Sequence, residues 1–178
     1  MTMNECYAAV ELRCALGAAL LVAGRDGLQW LALGDDPGSL RAEWPTRHPR
    51  IRWLDRGPPE SWIEAVQACL DDELPHDRPL PPLAPAGTAF QHRVWAGLRA
   101  LPRGATISYQ ALAARLGQPT AARAVARACA ANPLAVLIPC HRVVGSDGGL
   151  SGYRWGLARK RALLQREGAL PARATGAP

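Results

Sequence analysis

No run of about 18 apolar residues occurs anywhere in this chain, so no segment is long enough to cross a bilayer as a helix. The amino terminus, Met1-Thr2-Met3-Asn4-Glu5, lacks both the basic start and the apolar stretch of a secretory signal. These absences predict a soluble cytoplasmic protein. The five cysteines, Cys6, Cys14, Cys69, Cys129 and Cys140, are odd in number, widely spaced and without a C-x-x-C pair. That excludes a recognisable disulfide framework or zinc ribbon, and the thiols are expected to be reduced.

Acid is scarce in only one half. Residues 1 to 86 hold 8 basic and 13 acidic side chains, a net of −5, whereas residues 87 to 178 hold 13 and 2, a net of +11. A compact segment that basic points to a polyanion, most often nucleic acid, because phosphate neutralisation releases counterions whatever the base sequence. Of these 13 cations only Lys160 is a lysine. A GC-rich genome accounts for arginine in place of lysine and for the abundance of alanine and proline. It leaves the missing acids unexplained.

At 178 residues and 48% hydrophobic content, the chain can bury a real core in one sizeable domain or two small ones. Residues 7 to 33 alternate apolar runs with turn signals at Gly17 and at Gly24-Arg25-Asp26-Gly27, which predicts two or three antiparallel strands. Ser39 is the expected cap of a short helix reaching Trp44, and Trp53-Leu54 reads as a short strand. Trp62, Val66, Cys69 and Leu70 recur at helical spacing and predict an amphipathic helix over 60–70. Five prolines follow (Pro75, Pro79, Pro81, Pro82 and Pro85), making a stiff connector over 74–86. The first domain, 1–86, is thus a small α/β unit, and the second, 87–170, is mostly helical.

In the second domain, Thr88 is the expected cap of a helix with Phe90, Val94, Trp95 and Leu98 on one face. Ser108 caps a second helix that Gly117 stops, and Thr120 caps a third from Ala121 to about Ala131. Two helices joined by a short glycine-containing turn have the form of a helix-turn-helix, a pattern that many helical hairpins without a DNA role also share. The third helix carries Ala121, Ala122, Ala124, Ala126, Ala128 and Ala130, with Arg123 and Arg127 on one face. Such a surface suits a narrow groove, and it also suits a close-packed helix with solvated arginines. Leu134 to Ile138 is read as a buried extended run delivering the chain to Pro139 and Cys140. A last helix runs from Leu157 to about Glu167, with Gly168 as its stop. Residues 171–178, rich in Ala, Pro and Gly, are read as a disordered tail.

The chain centres on Ile138-Pro139-Cys140-His141-Arg142-Val143-Val144. A thiol needs a base or a depressed pKa to be nucleophilic at neutral pH, and a histidine follows this one directly. A free cysteine is otherwise more often a small buried hydrophobe. The segment carries the whole active-site motif of the DNA repair alkyltransferases that act on O6-alkylguanine. Gly87-Thr88-Ala89-Phe90, Ser108-Tyr109-Gln110, Arg123-Ala124-Val125, Ala131-Asn132-Pro133 and Ser151-Gly152-Tyr153-Arg154-Trp155-Gly156 also resemble that family, particularly the carboxyl-terminal half of its bacterial adaptive-response members.

The resemblance implies a ribonuclease H-like first domain and a winged-helix-like second domain that acts on double-stranded DNA as a monomer, without a cofactor or metal. It implies that the Cys140 thiolate takes the alkyl group from O6 of guanine once per molecule, with O4 of thymine as a further candidate substrate. His141 acts as base through a water, Glu167 holds the imidazole, and Asn132 ties the recognition helix to the active-site loop. The helix from Ala121 through Ala122, Ala124 and Arg127 enters the minor groove, about 6 Å wide. Arg123 fills the space left by the extruded nucleotide, and Tyr109 presses on the phosphate. Pro139, Val143, Tyr153, Arg154 and Trp155 line the pocket. Trp155 stands where some relatives have glycine, which implies a tight pocket favouring methyl over benzyl. The cysteine cluster of the adaptive-response proteins' zinc domain has no counterpart here, so phosphotriester repair and that route to transcriptional control are not expected. The competing readings are a module that binds alkylated DNA without repairing it, whose known examples replace the acceptor cysteine, and a helix-turn-helix transcription regulator, which leaves the Pro-Cys-His-Arg-Val run without a purpose.

Overall fold

A computed structural model describes residues 6–47, 52–54, 56–72 and 80–171. The chain divides into two compact units, the first formed by 1–87 with 133–137 and the second by 88–132 with 138–178. Residues 133–137 thus leave the second unit just before the Cys140 segment, join the first, and return. A boundary drawn at one point of the sequence misses this excursion, because strand pairing between distant residues decides it.

In the first unit β1 (Cys6–Cys14), β2 (Gly17–Gly24) and β3 (Gly27–Gly34) form an antiparallel meander, and the short β4 (Arg52–Trp53) adds to β1 in parallel. The sheet order is β3-β2-β1-β4. Gly24 pairs with Gly27 across a two-residue turn, as the Asp-Gly signal predicts. Gly27 has a φ of +146°, and a Cβ there would lie 2.3 Å from the Pro82 carbonyl oxygen, so glycine is required twice over. Ala18 to Val22 are wholly buried, consistent with an uninterrupted apolar run. Helix α1 (Pro37–Arg47) packs on β2 and β3, and α2 (Glu60–Asp71) packs on β1.

Helix α1 begins two residues before the expected Ser39. Asp36 caps it, its carboxylate accepting from the Ser39 N–H at 2.7 Å and from the Ser39 hydroxyl at 2.9 Å, while Pro37 supplies a preset φ at the first helical position. The proline-rich connector is pinned where it is described: Leu28 N–H donates to Pro82 O and Ala84 N–H to Leu28 O. Its residues 73–79, and the tail 172–178, lie outside the described residues.

The second unit opens with α3 (Ala89–Arg99). Thr88 and Gln91 cap it reciprocally, each side chain accepting the other's backbone N–H. Ser108 caps α4 (Tyr109–Arg115) by accepting from Ala111 N–H. Helix α5 spans Ala122–Ala130, and here Thr120 is not the cap. The preceding turn closes through Ala121 N–H to Gln118 O, which moves the start one residue on, and Ala121 occupies the cap position without a side-chain acceptor. Trp95 Nε1 donates to the Ala128 carbonyl at 2.9 Å and locks α3 to α5. The strands β5 (Ile107–Ser108) and β6 (Val143–Val144) pair in parallel, so the residue that starts α4 sits beside the strand leaving the Cys140 segment. Helix α6 (Leu157–Arg166) completes the unit.

The expected extended run at 134–138 is instead a single bridge at Leu134 followed by a tight turn. Leu137 N–H closes on Ala135 O at 2.6 Å around Val136, whose φ is +65°. That is a γ-turn with a β-branched residue in the left-handed region, a strained arrangement. Apolar composition predicts burial here but not the reversal. Among the described residues, no helix is long and apolar enough to cross a membrane.

Candidate active site

Cys140, His141 and Arg142 form a single 3-10 turn, which sends three consecutive side chains in different directions. Cys140 and His141 are buried. Asn132, just past α5 and wholly buried, uses both protons of its amide: one goes to the Ile138 carbonyl at 2.8 Å and the other to Cys140 Sγ at 3.1 Å. Burial pushes the Cys140 thiol up to about 11, while the Asn132 N–H and the positive charges of Lys160 and Arg154 pull the other way. The resting sulfur is a neutral thiol that needs a base.

His141 follows Cys140 in the same turn. His141 Nε2 lies 2.8 Å from Glu167 Oε1. Burial alone would raise Glu167, but the hydrogen bonds from His141 and Arg142, and their charges, outweigh it and hold the carboxyl at about 2. An ionised carboxylate only accepts, so Nε2 carries the ring proton and Nδ1 the lone pair. Nδ1 is buried and has no hydrogen-bond partner among the described residues. Burial lowers the His141 pKa, with Glu167 opposing, so the imidazole is neutral and basic at pH 7.

Two residues that the sequence reading did not single out complete the array. Arg142 clamps Glu167 through Nε to Oε2 at 2.8 Å and Nη2 to Oε1 at 2.9 Å, and its Nη1 donates to Leu101 O at 2.6 Å. Lys160 is wholly buried on α6, and Nζ donates to Val143 O at 2.6 Å and Ser151 O at 2.7 Å. Its sequence signal was its rarity: it is the one lysine beside 20 arginines.

The chain matches the family model described as 6-O-methylguanine DNA methyltransferase, DNA binding domain, over residues 89–169. It aligns with the crystal structure of an O6-methylguanine methyltransferase from Mycobacterium tuberculosis at 33% identity and TM-score 0.72, covering 95% of this chain and 98% of that one. The chain belongs to the O6-methylguanine-DNA methyltransferase family. A structure of the mycobacterial protein in complex with DNA aligns at 34% identity and TM-score 0.70, covering 94% and 96% of the two chains. The bifunctional transcriptional activator/DNA repair enzyme Ada of Escherichia coli is 47% identical over 156 residues, which is 86% of this chain but 43% of Ada. The chain spans about half the length of the curated relatives it matches.

The other family positions fall into two groups. Tyr153 stacks edge-on to His141 at 6.5 Å and to Trp155 at 5.2 Å, its hydroxyl buried without a partner, and the Arg154 guanidinium lies 5.7 Å from the Trp155 ring centre. Arg154 also donates to the Asn132 carbonyl at 3.3 Å, and Tyr109 donates to Ser151 O at 3.5 Å. Pro139 and Val143 are buried beside the Cys140 turn. These residues form one continuous network with the nucleophile.

The remaining positions stand apart from that network. On α5, Val125, Ala128 and Cys129 face inward, whereas Arg123 and Arg127 are exposed and their side chains bond to no other described residue. Ala122 and Ala124 are half-buried on the same helix, and Ala121 lies just outside it.

Proposed function

We propose that this chain repairs DNA by moving a methyl group from O6 of guanine to Cys140 in one irreversible step, once per molecule. The observation that carries this is the array Asn132–Cys140 and His141–Glu167–Arg142, built on one turn, in a chain of this family. His141 Nδ1, acting through a water, takes the thiol proton. The sulfur then attacks the methyl carbon, an S–C bond forms as the C–O6 bond breaks, and the electron pair stays with guanine, which gains one proton to become the normal base. Asn132, Lys160 and Arg154 favour the thiolate, as their effects on the Cys140 thiol indicate.

The DNA partner is supported by the family's DNA-binding description, by the DNA complex of the mycobacterial relative and by the net of +11 over residues 87–178. We place α4 and α5 as a helix-turn-helix whose second helix enters the minor groove of duplex DNA. The small side chains of Ala122 and Ala124 let it approach, and Ala121 leaves its first N–H groups without a side-chain cap, free for phosphate. Arg123 takes the space of the extruded nucleotide, Arg127 meets the backbone, and Tyr109 pushes the phosphate. The base then sits among Pro139, Val143, Tyr153, Arg154 and Trp155. The first unit is a ribonuclease H-like support, and the protein acts as a monomer in the cytoplasm.

The test is intact-mass measurement after mixing the protein with duplex DNA carrying one O6-methylguanine. A single methyl mass mapped to Cys140, absent from Cys140→Ala, is expected. An unmodified protein, or a methyl on another residue, overturns the proposal.

A further inference from the structure

Lys160 is the one lysine in a chain with 20 arginines, and it is wholly buried. Its three protons meet three carbonyls: Val143 O at 2.6 Å, Ser151 O at 2.7 Å and Gly152 O at 3.3 Å. A compact ammonium with three rotatable donors fits that cluster, and a planar guanidinium does not. The carbonyls lie on two segments. Val143 directly follows the Cys140–Arg142 turn, and Ser151-Gly152 leads into Tyr153, whose ring packs on His141.

Carbonyls solvate an ammonium but do not neutralise it. Residues 87–178 contain two acids, and both are committed elsewhere. Glu167 holds His141 and Arg142, and Asp147 accepts from the Gly149 N–H at 2.9 Å in an exposed loop. Among the described residues no carboxylate pairs with Lys160, and a buried charge so placed is costly, so any anion formed nearby is stabilised. Lys160 couples electrostatically to the Cys140 and Cys129 thiols, and also to the His141 imidazole, whose pKa its charge helps to lower; Cys129 is pushed up to about 12 by burial. Cys140 is also faced by the Asn132 amide, Arg154, Tyr109 and Tyr153.

We infer that Lys160 is a positioning residue for the transfer step: its ammonium ties Val143 to Ser151-Gly152 beside the Cys140 turn and is the standing charge against which the thiolate forms. The inference rests on Cys140 as acceptor, and it assigns no direct contact between Lys160 and the methyl group.

The experiment compares wild type with Lys160→Met and Lys160→Arg. Three quantities are followed: thermal melting, the pH midpoint of Cys140 modification by iodoacetamide, and methyl transfer from O6-methylguanine duplex. A folded Lys160→Met should show a midpoint raised by about one pH unit and transfer slowed about tenfold at neutral pH. Lys160→Arg, which keeps the charge but not the three-carbonyl fit, should hold the midpoint and still transfer slowly. A folded Lys160→Met with wild-type midpoint and rate overturns the inference.

Should Lys160→Met fail to fold, nitrogen-15 labelling of lysine gives a single side-chain resonance in wild type and in Cys140→Ser. Its titration midpoint should be lower in Cys140→Ser, and identical midpoints overturn the coupling. If Cys140 is not the acceptor, wild type carries no methyl on Cys140 after reaction, while the iodoacetamide and resonance arms still report on Lys160.

Discussion

His141 Nε2 and Glu167 Oε1 lie 2.8 Å apart although 26 residues separate them in the chain. The carboxylate fixes which ring nitrogen is protonated and so leaves the lone pair on Nδ1, the atom proposed as the base. Glu167→Gln keeps the size but removes the charge that fixes the tautomer. Single-turnover methyl transfer is expected to slow by about 100-fold, the scale of a lost general base, with affinity for undamaged DNA unchanged. Stopped-time assays on O6-methylguanine duplex, paired with a binding titration, measure both.

The same carboxylate makes stability depend on acid. Its pKa falls from 4.5 to about 2 on folding, so its contribution is fully present above pH 4.5 and is lost as pH drops towards 2. The shift corresponds to about 3 kcal/mol. His141, lowered by burial, acts in the same direction, since its contribution is complete above pH 6.5 and fades as pH falls through its folded value. Cys140 works oppositely, contributing below pH 9 and losing that contribution as pH rises to about 11. Urea midpoints across pH 7 to 3 should fall steeply for wild type and less steeply for Glu167→Gln.

Val136 holds a φ of +65° at the centre of the turn before Cys140. Valine is disfavoured there and glycine is not, and the relief exceeds the entropy that glycine adds to the unfolded chain. Val136→Gly is expected to raise the unfolding free energy by about 0.5–1 kcal/mol. Val136→Pro, with φ fixed near −65°, should destabilise by more than that. Denaturant melts of both variants decide the sign.

Trp155 is buried against Tyr153 and under the Arg154 guanidinium, and in the proposed pocket it takes up room that a bulky transferred alkyl group would need. Free O6-benzylguanine should therefore inactivate wild type slowly and Trp155→Gly about tenfold faster, a difference of about 1.4 kcal/mol. The variant gives up roughly 3–5 kcal/mol of core packing, so its folding is checked by circular dichroism first. Rapid inactivation of wild type contradicts the tight pocket.

The Arg123 side chain is exposed and bonded to no other described residue, so its removal should leave the fold intact. Arg123→Ala should slow repair of duplex DNA by about tenfold, since nothing then occupies the gap left by the base at a cost of a few kcal/mol. Reaction with the free modified base, which needs no extrusion, should be unchanged. Equal losses on both substrates would assign Arg123 to the pocket instead.

Local signals were legible where a residue's own backbone decides the outcome. The Thr88 and Ser108 caps, the Gly117 and Gly168 stops, the Gly24–Gly27 turn and the periodic burial of α2 and α3 all follow from side chains within four residues. Thr120 and Ser39 misled for the same reason. A neighbouring acceptor, Gln118 O in one case and the Asp36 carboxylate in the other, competed and set a different start.

Cys140 with its histidine was legible as chemistry, because adjacency in sequence is adjacency in space, and the charge division between the halves was legible as a polyanion signal. The part played by Glu167 came only by likeness to a family. Arg142 as its clamp, Lys160 among three carbonyls and the pairing of Leu134 with Leu31 were decided by tertiary structure alone. Such contacts join residues 8 to more than 100 positions apart, and only the packed chain determines which donors reach which acceptors once water is excluded.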